Sequence, residues 1–204
     1  MKVWAIVVAA GRGERFGRPK QYELVAGRRV VDWSVDDARE ACDGVVIVVP
    51  PDRVEDGSCV AGGASRSESV RNGLAAVPED ADVIVVHDAA RPAAGVGLFH
   101  AVIDAVRAGA DAAVPGVPVT DTIKRVAGTE VVETIDRATL VAVQTPQAFR
   151  ASALRAAHSG GGDATDDAAL VERNGGRVVV VPGHVANRKI TEPDDLEALE
   201  AVLR

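Results

Sequence analysis

The stretch Val3-Trp4-Ala5-Ile6-Val7-Val8-Ala9-Ala10-Gly11-Arg12-Gly13-Glu14-Arg15-Phe16-Gly17-Arg18-Pro19-Lys20-Gln21 passes from an unbroken apolar run into a glycine-rich basic loop. A short run rich in valine, without alternation, reads as a strand buried on both faces, as in a parallel sheet. The run leads straight into Gly11-Arg12-Gly13 rather than into a small-residue cleavage site, so it is expected to be the first strand and not a secretory leader.

Similar apolar runs recur at residues 45–49, 83–86, 112–114 and 178–181. Helical spacing separates them. Val30, Val31, Ser34, Val35 and Ala38 would share one face, as would Val70, Leu74 and Val77, and Leu98, Val102, Ala105 and Val106 before a stop at Gly109. A last helix is expected to open at Thr191 or Glu192, with Pro193 in its first turn, and to run through Leu196, Leu199 and Val202. Strand–helix alternation implies an α/β chain: a Rossmann-like, doubly wound sheet, mixed but mostly parallel, as a single domain over residues 1–204. Residues 117–143 break the pattern. Val117, Val119, Ile123 and Val126, then Val131, Val132 and Ile135, read as two strands about a turn at Ala127-Gly128-Thr129. An isolated hairpin is marginal, so this protruding arm should pack on something, either a sheet edge or a partner subunit.

Composition narrows the class. Aromatics make up only 3% of the chain, so Val, Ala, Leu and Ile must fill the core. The formal net charge of -7 argues against a protein that coats nucleic-acid phosphates, though not against a small anion met by a local positive field. Cys42 and Cys59 show no metal spacing and read as thiols kept reduced, which with the lack of any long apolar run points to a cytoplasmic protein with no membrane partner.

The chemistry starts in the loop. Glycines let backbone N–H groups turn toward an anion, and Arg12, Arg15, Arg18 and Lys20 add positive charge. A triphosphate would meet amides, guanidinium and ammonium together. The bland alternative is a surface loop with scattered basic residues. The spacing is G-x-G-x-x-x-G, which differs from the dinucleotide fingerprint G-x-G-x-x-G, and the chain has no G-x-x-x-x-G-K-[ST].

Residues 9–15 with Pro19-Lys20-Gln21-Tyr22 resemble the signature of nucleotidyltransferases that activate sugar phosphates. Among these the chain is similar to the 2-C-methyl-D-erythritol 4-phosphate cytidylyltransferases of the non-mevalonate isoprenoid route. Four further stretches agree in order: Gly62-Gly63-Ala64-Ser65-Arg66-Ser67-Glu68-Ser69-Val70, His87-Asp88-Ala89-Ala90-Arg91-Pro92, Gln144-Thr145-Pro146-Gln147-Ala148-Phe149, and Asn187-Arg188-Lys189-Ile190-Thr191.

The resemblance implies a homodimer whose arm crosses to complete the neighbour's acceptor site. It implies that Arg15, Lys20 and Lys189 stabilise charge at the reacting phosphates. It places Ala9, Ala10, Gly11, Gly13, Arg15, Lys20, Gly62, Gly63, Ser69 and Asp88 around CTP, with the Gly62–Ser69 loop reading cytosine. It places Asp88, Arg91, Thr122, Arg137, Thr145, Thr165 and Lys189 around methylerythritol phosphate. Asp88 would also hold Mg²⁺, which favours one or two carboxylates plus phosphate oxygens. Arg66 belongs to the pattern without an assigned role, and His87 reads as structural. Asp88 could instead be a turn residue, Ser65 or Ser67 a helix cap, and Asp121, Asp136 and Asp166 ordinary solvated charges. The expected reaction is cytidylyl transfer from CTP with release of pyrophosphate. A ribitol 5-phosphate cytidylyltransferase would carry the same motifs, and an NAD-type oxidoreductase is a more distant alternative that the glycine spacing disfavours.

Overall fold

The structure, a computed structural model, describes residues 1–54 and 59–203. The chain opens with β1 (Val3–Val8), and the basic loop ends in a single 3-10 turn at Lys20–Tyr22. A small ladder of β2 (Leu24–Val25) and β3 (Arg28–Arg29) leads into α1 (Val30–Ala41) and β4 (Gly44–Val49). Next come β5 (Cys59–Ala61), α2 (Arg66–Ala76), β6 (Val83–Asp88), α3 (Val96–Arg107) and β7 (Ala112–Pro118). The arm supplies β8 (Ile123–Ala127) and β9 (Glu130–Ile135), and the chain returns through β10 (Val141–Val143) and β11 (Gln147–Arg150). It continues through α4 (Ala151–Ser159), α5 (Asp167–Arg173), β12 (Val178–Pro182) and α6 (Asp194–Leu203).

Among the described residues, eight strands form one sheet in the order β10-β7-β11-β6-β1-β4-β5, with β12 also paired to β7. β1 lies parallel between β4 and β6. Its side chains alternate between two cores, which is why the run is apolar throughout. Ala5 and Val7 join Val31, Val35, Phe99 and Ile103 beneath α1 and α3. Ile6 joins Val70, Leu74, Leu154 and Leu170 beneath α2, α4 and α5. A third, smaller cluster of Phe16, Val25, Val30, Ile190 and Leu199 seats α6 and the basic loop against the start of α1. The α/β class and the mixed, mostly parallel sheet agree with the sequence reading.

Several details differ from it. β11, antiparallel, is inserted between β6 and β7 inside the sheet. It holds four residues, of which Ala148 and Phe149 are apolar, so no run or alternation announced it. Phe149 is nonetheless fully buried, a burial that stabilises the fold by about 1.5–3 kcal/mol. The inner face of α3 is Phe99, Val102, Ile103 and Val106 rather than one centred on Leu98 and Ala105. Both stripes are apolar, and the larger phenyl ring takes the interior. In α6, Leu199 is buried and Val202 is half exposed, while Leu196 and Leu203 cover the cluster's edge.

The arm is a separate two-stranded ladder with a bulge at Arg125/Val126 and Gly128 at φ 61 in its turn, where a left-handed backbone favours glycine. Val117 and Pro118 belong to β7, so the ladder itself begins at Ile123. Val126, Val131 and Val132 are exposed along it.

Candidate functional site

A cleft of about 560 Å³ opens beyond the C-terminal ends of β1 and β6, the usual ligand position in a sheet of this kind. The basic loop forms one wall. Gln21, almost wholly buried, donates from Nε2 to the carbonyls of Ala9 (2.7 Å) and Gly11 (2.9 Å) and holds the loop's first turn. Gly13 takes φ +68, and a Cβ there would lie 1.9 Å from the Arg18 carbonyl oxygen, so no other residue fits. Phe16 anchors the far end in the third cluster. Arg12, Arg15 and Lys20 line the cleft. Arg18 does not: a two-pronged ion pair with Glu23, at 2.6 and 2.7 Å, holds it outside.

The opposite wall is the N-terminus of α2. Ser65 caps the helix by accepting from the Glu68 N–H, and Glu68 Oε2 accepts from the Ala64 N–H, an arrangement close to a capping box. Ser69 Oγ accepts from the Gly63 N–H at 3.1 Å and donates to the Ser65 carbonyl. A Cβ on Gly62 would lie 2.2 Å from the Ala10 Cβ, so this loop and the basic loop touch only because residue 62 is glycine. Gly63 and Ser69 face the cleft, while Gly62 supports it from behind. The helix-cap alternative for Ser65 is therefore correct, and it coexists with a binding wall.

Asp88 sits on the cleft floor at the end of β6, nearly buried. Its Oδ1 accepts from Arg66 Nε at 3.1 Å and its Oδ2 from Lys189 Nζ at 2.6 Å. Burial would push this carboxyl's pKa up, but the charges of Arg66 and Lys189, with Arg91 beyond, outweigh it and hold the group well below the usual carboxylate range. Burial likewise works against the Arg66 guanidinium, and Asp88 and Asp167 more than offset it, so its pKa is raised. Lys20 meets the opposite balance. Burial, then the charges of Lys189 and Arg15, lower its pKa. No hydrogen bond or ion pair among the described residues reaches its ammonium.

Lys189 is held by its loop. The buried Asn187 donates from Nδ2 to Gln144 Oε1 and to the Thr145 carbonyl, and its own carbonyl accepts from Arg91 Nη1 at 2.7 Å. Asp195 Oδ2 accepts from the Thr191 N–H, the Thr191 hydroxyl and the Glu192 N–H, closing the loop onto α6.

The structure thus gathers Ala9, Ala10, Gly11, Gly13, Arg15, Lys20, Gly63, Ser69, Asp88 and Lys189 around one cleft. It does not gather the remaining expected acceptor residues there. The Thr145 hydroxyl is buried, accepting from the Asp88 N–H at 3.0 Å and pairing with His87 Nδ1, so it fixes Asp88 rather than facing the cleft. Arg91 does not line the cleft, and it donates from Nη1 to the Asn187 carbonyl. Thr165 is exposed beside α5, and Thr122 and Arg137 lie exposed at the arm, with Arg137 donating to the Thr120 carbonyl. Asp136 and Asp166 cap short helical turns. His87 is fully buried, which lowers its pKa to about 4, and it is structural. Gln21, Gln144 and Asn187 act through partners ten or more residues away in the chain, which no local spacing could reveal, whereas Asp195 acts on Thr191 and Glu192 within one helical turn.

Among the described residues no group of three or more His, Cys, Asp or Glu side chains is set to hold a metal, and no helix is long and apolar enough to cross a membrane. Asp88 is a single carboxylate whose oxygens each carry one donor, leaving a second lone pair on each. That fits a Mg²⁺ drawing most of its ligands from phosphate oxygens and water.

A sequence model of the family described as IspD: 2-C-methyl-D-erythritol 4-phosphate cytidylyltransferase matches residues 3–204. The chain is 44% identical, over 98% of its length and 84% of the other, to the 2-C-methyl-D-erythritol 4-phosphate cytidylyltransferase of Streptomyces coelicolor. It is 42% identical to a bifunctional IspD/IspF enzyme of Nitratidesulfovibrio vulgaris, covering 98% of this chain but 58% of that protein. The chain thus spans little more than half the length of such bifunctional relatives. The crystal structure of 2-C-methyl-D-erythritol 4-phosphate cytidylyltransferase from Thermus thermophilus superposes with a TM-score of 0.85 at 35% identity, covering 99% of this chain and 98% of that one.

The lowered pKa of Lys20 has a measurable consequence. The ammonium must be protonated to attract an anion, so affinity for inorganic triphosphate falls as pH rises through a value below the ordinary lysine pKa of 10.5. Lys20→Arg keeps its charge over that range and should hold its affinity in calorimetric titrations. The same decline in both proteins would contradict the assignment.

Proposed function

The chain belongs to the IspD, 2-C-methyl-D-erythritol 4-phosphate cytidylyltransferase, family, and we propose that it transfers the cytidylyl group of CTP to 2-C-methyl-D-erythritol 4-phosphate. The products are 4-diphosphocytidyl-2-C-methyl-D-erythritol and pyrophosphate, on the non-mevalonate route to isoprenoid precursors. The observation that carries the reading is the cleft itself: Arg15, Lys20 and Lys189 gather beside a glycine turn, with one ionised carboxylate between two cations on the floor.

A phosphate oxygen of the acceptor attacks the α-phosphorus of CTP. A new P–O bond forms and the bond to the β-phosphate's bridging oxygen breaks, carrying the electron pair away on pyrophosphate. The acceptor phosphate is already anionic near neutral pH, so the step needs no strong general base. Charge grows on the bridging and equatorial oxygens, and cations fixed there favour the transition state. Lys20 is suited to this because no carboxylate among the described residues pairs with it, and Asp88 keeps Lys189 on the cleft floor. The Gly63 and Ser69 wall offers backbone groups and a hydroxyl for the cytosine edge. Asp88 would hold Mg²⁺, whose charge would further offset that of the triphosphate.

The reading extends to a homodimer. Thr122 and Arg137 stand away from the cleft on an arm whose Val126, Val131 and Val132 are exposed, and Val141 and Val143 add to the apolar surface near its base. Apolar surface of this kind calls for a cover. A second copy would supply it, and its arm would bring the partner's equivalent residues to the acceptor side of the site. Two thiol cysteines, Cys42 and Cys59, support a cytoplasmic setting.

With Mg²⁺, pyrophosphate release should require CTP rather than ATP, GTP or UTP, and methylerythritol phosphate as acceptor. Release with ribitol 5-phosphate alone would move the acceptor assignment, and silence with both would overturn it. Lys20→Ala should lower kcat/KM about 10²–10³-fold with its melting temperature kept; near-normal turnover would sink its role. For the dimer, Lys20→Ala and Arg137→Ala proteins, each weak alone, should regain activity when subunits are exchanged. No recovery would place both residues in one chain's site.

A further inference from the structure

A row of alternating charges runs from the cleft into the interior. Lys189 and Arg66 flank Asp88, and Arg66 continues from Nη1 to Asp167 Oδ2 at 2.8 Å. Asp167 Oδ1 then lies 2.9 Å from His158 Nε2, and as a carboxylate oxygen can only accept, the ring carries its proton on Nε2 and donates. Asp167 is completely buried, His158 nearly so, and neither lines the cleft.

Arg66 occupies a locally unfavourable place. It is the first residue of α2, where the positive end of the helix dipole disfavours a cation. Holding a long side chain there also costs rotamer entropy. Asp167 is better placed, at the first position of α5, where a carboxylate is favoured. Two carboxylates on Nε and Nη1 fix the guanidinium plane, because its donors form a rigid fork. Nη2 is left with no protein partner among the described residues, and Arg66 lines the cleft. A local placement that runs against propensity, reinforced by buried partners, marks a side chain held for a ligand.

We propose that Asp167 and His158 are positioning residues that brace Arg66, so that its remaining Nη2 donors meet the polyphosphate of the nucleotide while Asp88 stays fixed beside Lys189. His158 supplies the second donor that a fully buried Asp167 requires, and without it the carboxylate would be under-satisfied and Arg66 less sharply held. The inference rests on the nucleotide-binding reading above and adds Arg66 to the groups that touch the ligand.

Three variants test it. His158→Leu removes the donor and keeps apolar bulk, His158→Gln keeps an N–H at comparable reach, and Asp167→Asn keeps shape without charge. The measurements are the CTP dissociation constant, kcat and KM separately, melting temperature, and the Arg66 Nε–H resonance by NMR without nucleotide. His158→Leu should weaken CTP binding about 10-fold, as loss of a supporting shell does elsewhere, raise KM more than it lowers kcat, and broaden the Arg66 signal. His158→Gln should restore most of the affinity and sharpen the signal, and Asp167→Asn should bind worse than His158→Leu. Wild-type CTP binding in His158→Leu or Asp167→Asn would overturn the brace. Equal damage in the Leu and Gln variants would also overturn it, by assigning His158 to packing. A wild-type protein indifferent to CTP would overturn the cytidylyl reading instead, and the Arg66 signal, read without ligand, would still decide the brace.

Discussion

The carboxylate of Asp88 ends β6, in the middle of the sheet, in a position too dry to carry charge alone. A buried ion without a partner is costly, and removing one partner from a buried pair typically destabilises by about 3–5 kcal/mol. That constraint organises what surrounds it. Arg66 comes from the start of α2, and Lys189 comes from a loop late in the chain. Thr145, at the kink between β10 and β11, binds the Asp88 N–H. Segments far apart in sequence are thereby drawn to the same sheet edge, where the topology already leaves a crevice.

The basic loop follows a different logic. Gly13 and Gln21 fix its backbone, and Phe16 pins it to the third cluster, so the loop is shaped before any anion arrives. Of its cations, only Arg18 is ion-paired among the described residues, and its partner is Glu23. Lys20 is half-buried and pressed by Lys189 and Arg15, with no carboxylate among the described residues close enough to bond it. Burial and repulsion that Asp88 and Asp195 only partly offset are a standing preference for an anionic ligand, built into a chain of net negative charge. Charge complementarity is therefore local to the cleft, and the overall charge of the chain says little about it.

How much of this the sequence disclosed depends on how local each feature is. β1, β4, β6 and β7 were readable because strands covered on both faces are apolar throughout, and β12 because its valine run is unbroken even though Val180 is exposed. The inner face of α1 was readable because its stripe is unambiguous. β11 escaped, since four residues beginning with glutamine carry no period, and α3 turned by one residue because Leu98 and Phe99 compete for the same side. In the site, the two walls of the cleft were legible because their glycines and cations lie within short segments. The residues expected around an acceptor did not come together there, since Thr122 and Arg137 sit on the arm and the Thr145 hydroxyl is buried against Asp88 and His87. The brace of Asp167 and His158 was invisible: an aspartate in a helix's first turn and a histidine on an amphipathic helix are ordinary until the fold joins them.

The arrangement of the cleft floor turns on Asp88 being held ionised between two cations, and a pH titration of its carboxyl carbon by NMR tests that directly. The resonance should stay at its ionised position through the range where ordinary aspartates titrate and move only at markedly lower pH, and its titration should shift upward toward that range in Arg66→Ala. A wild-type Asp88 that took up its proton near the ordinary value of 3.8 would contradict the ion-paired floor and, with it, the placement of Lys189 and Arg66.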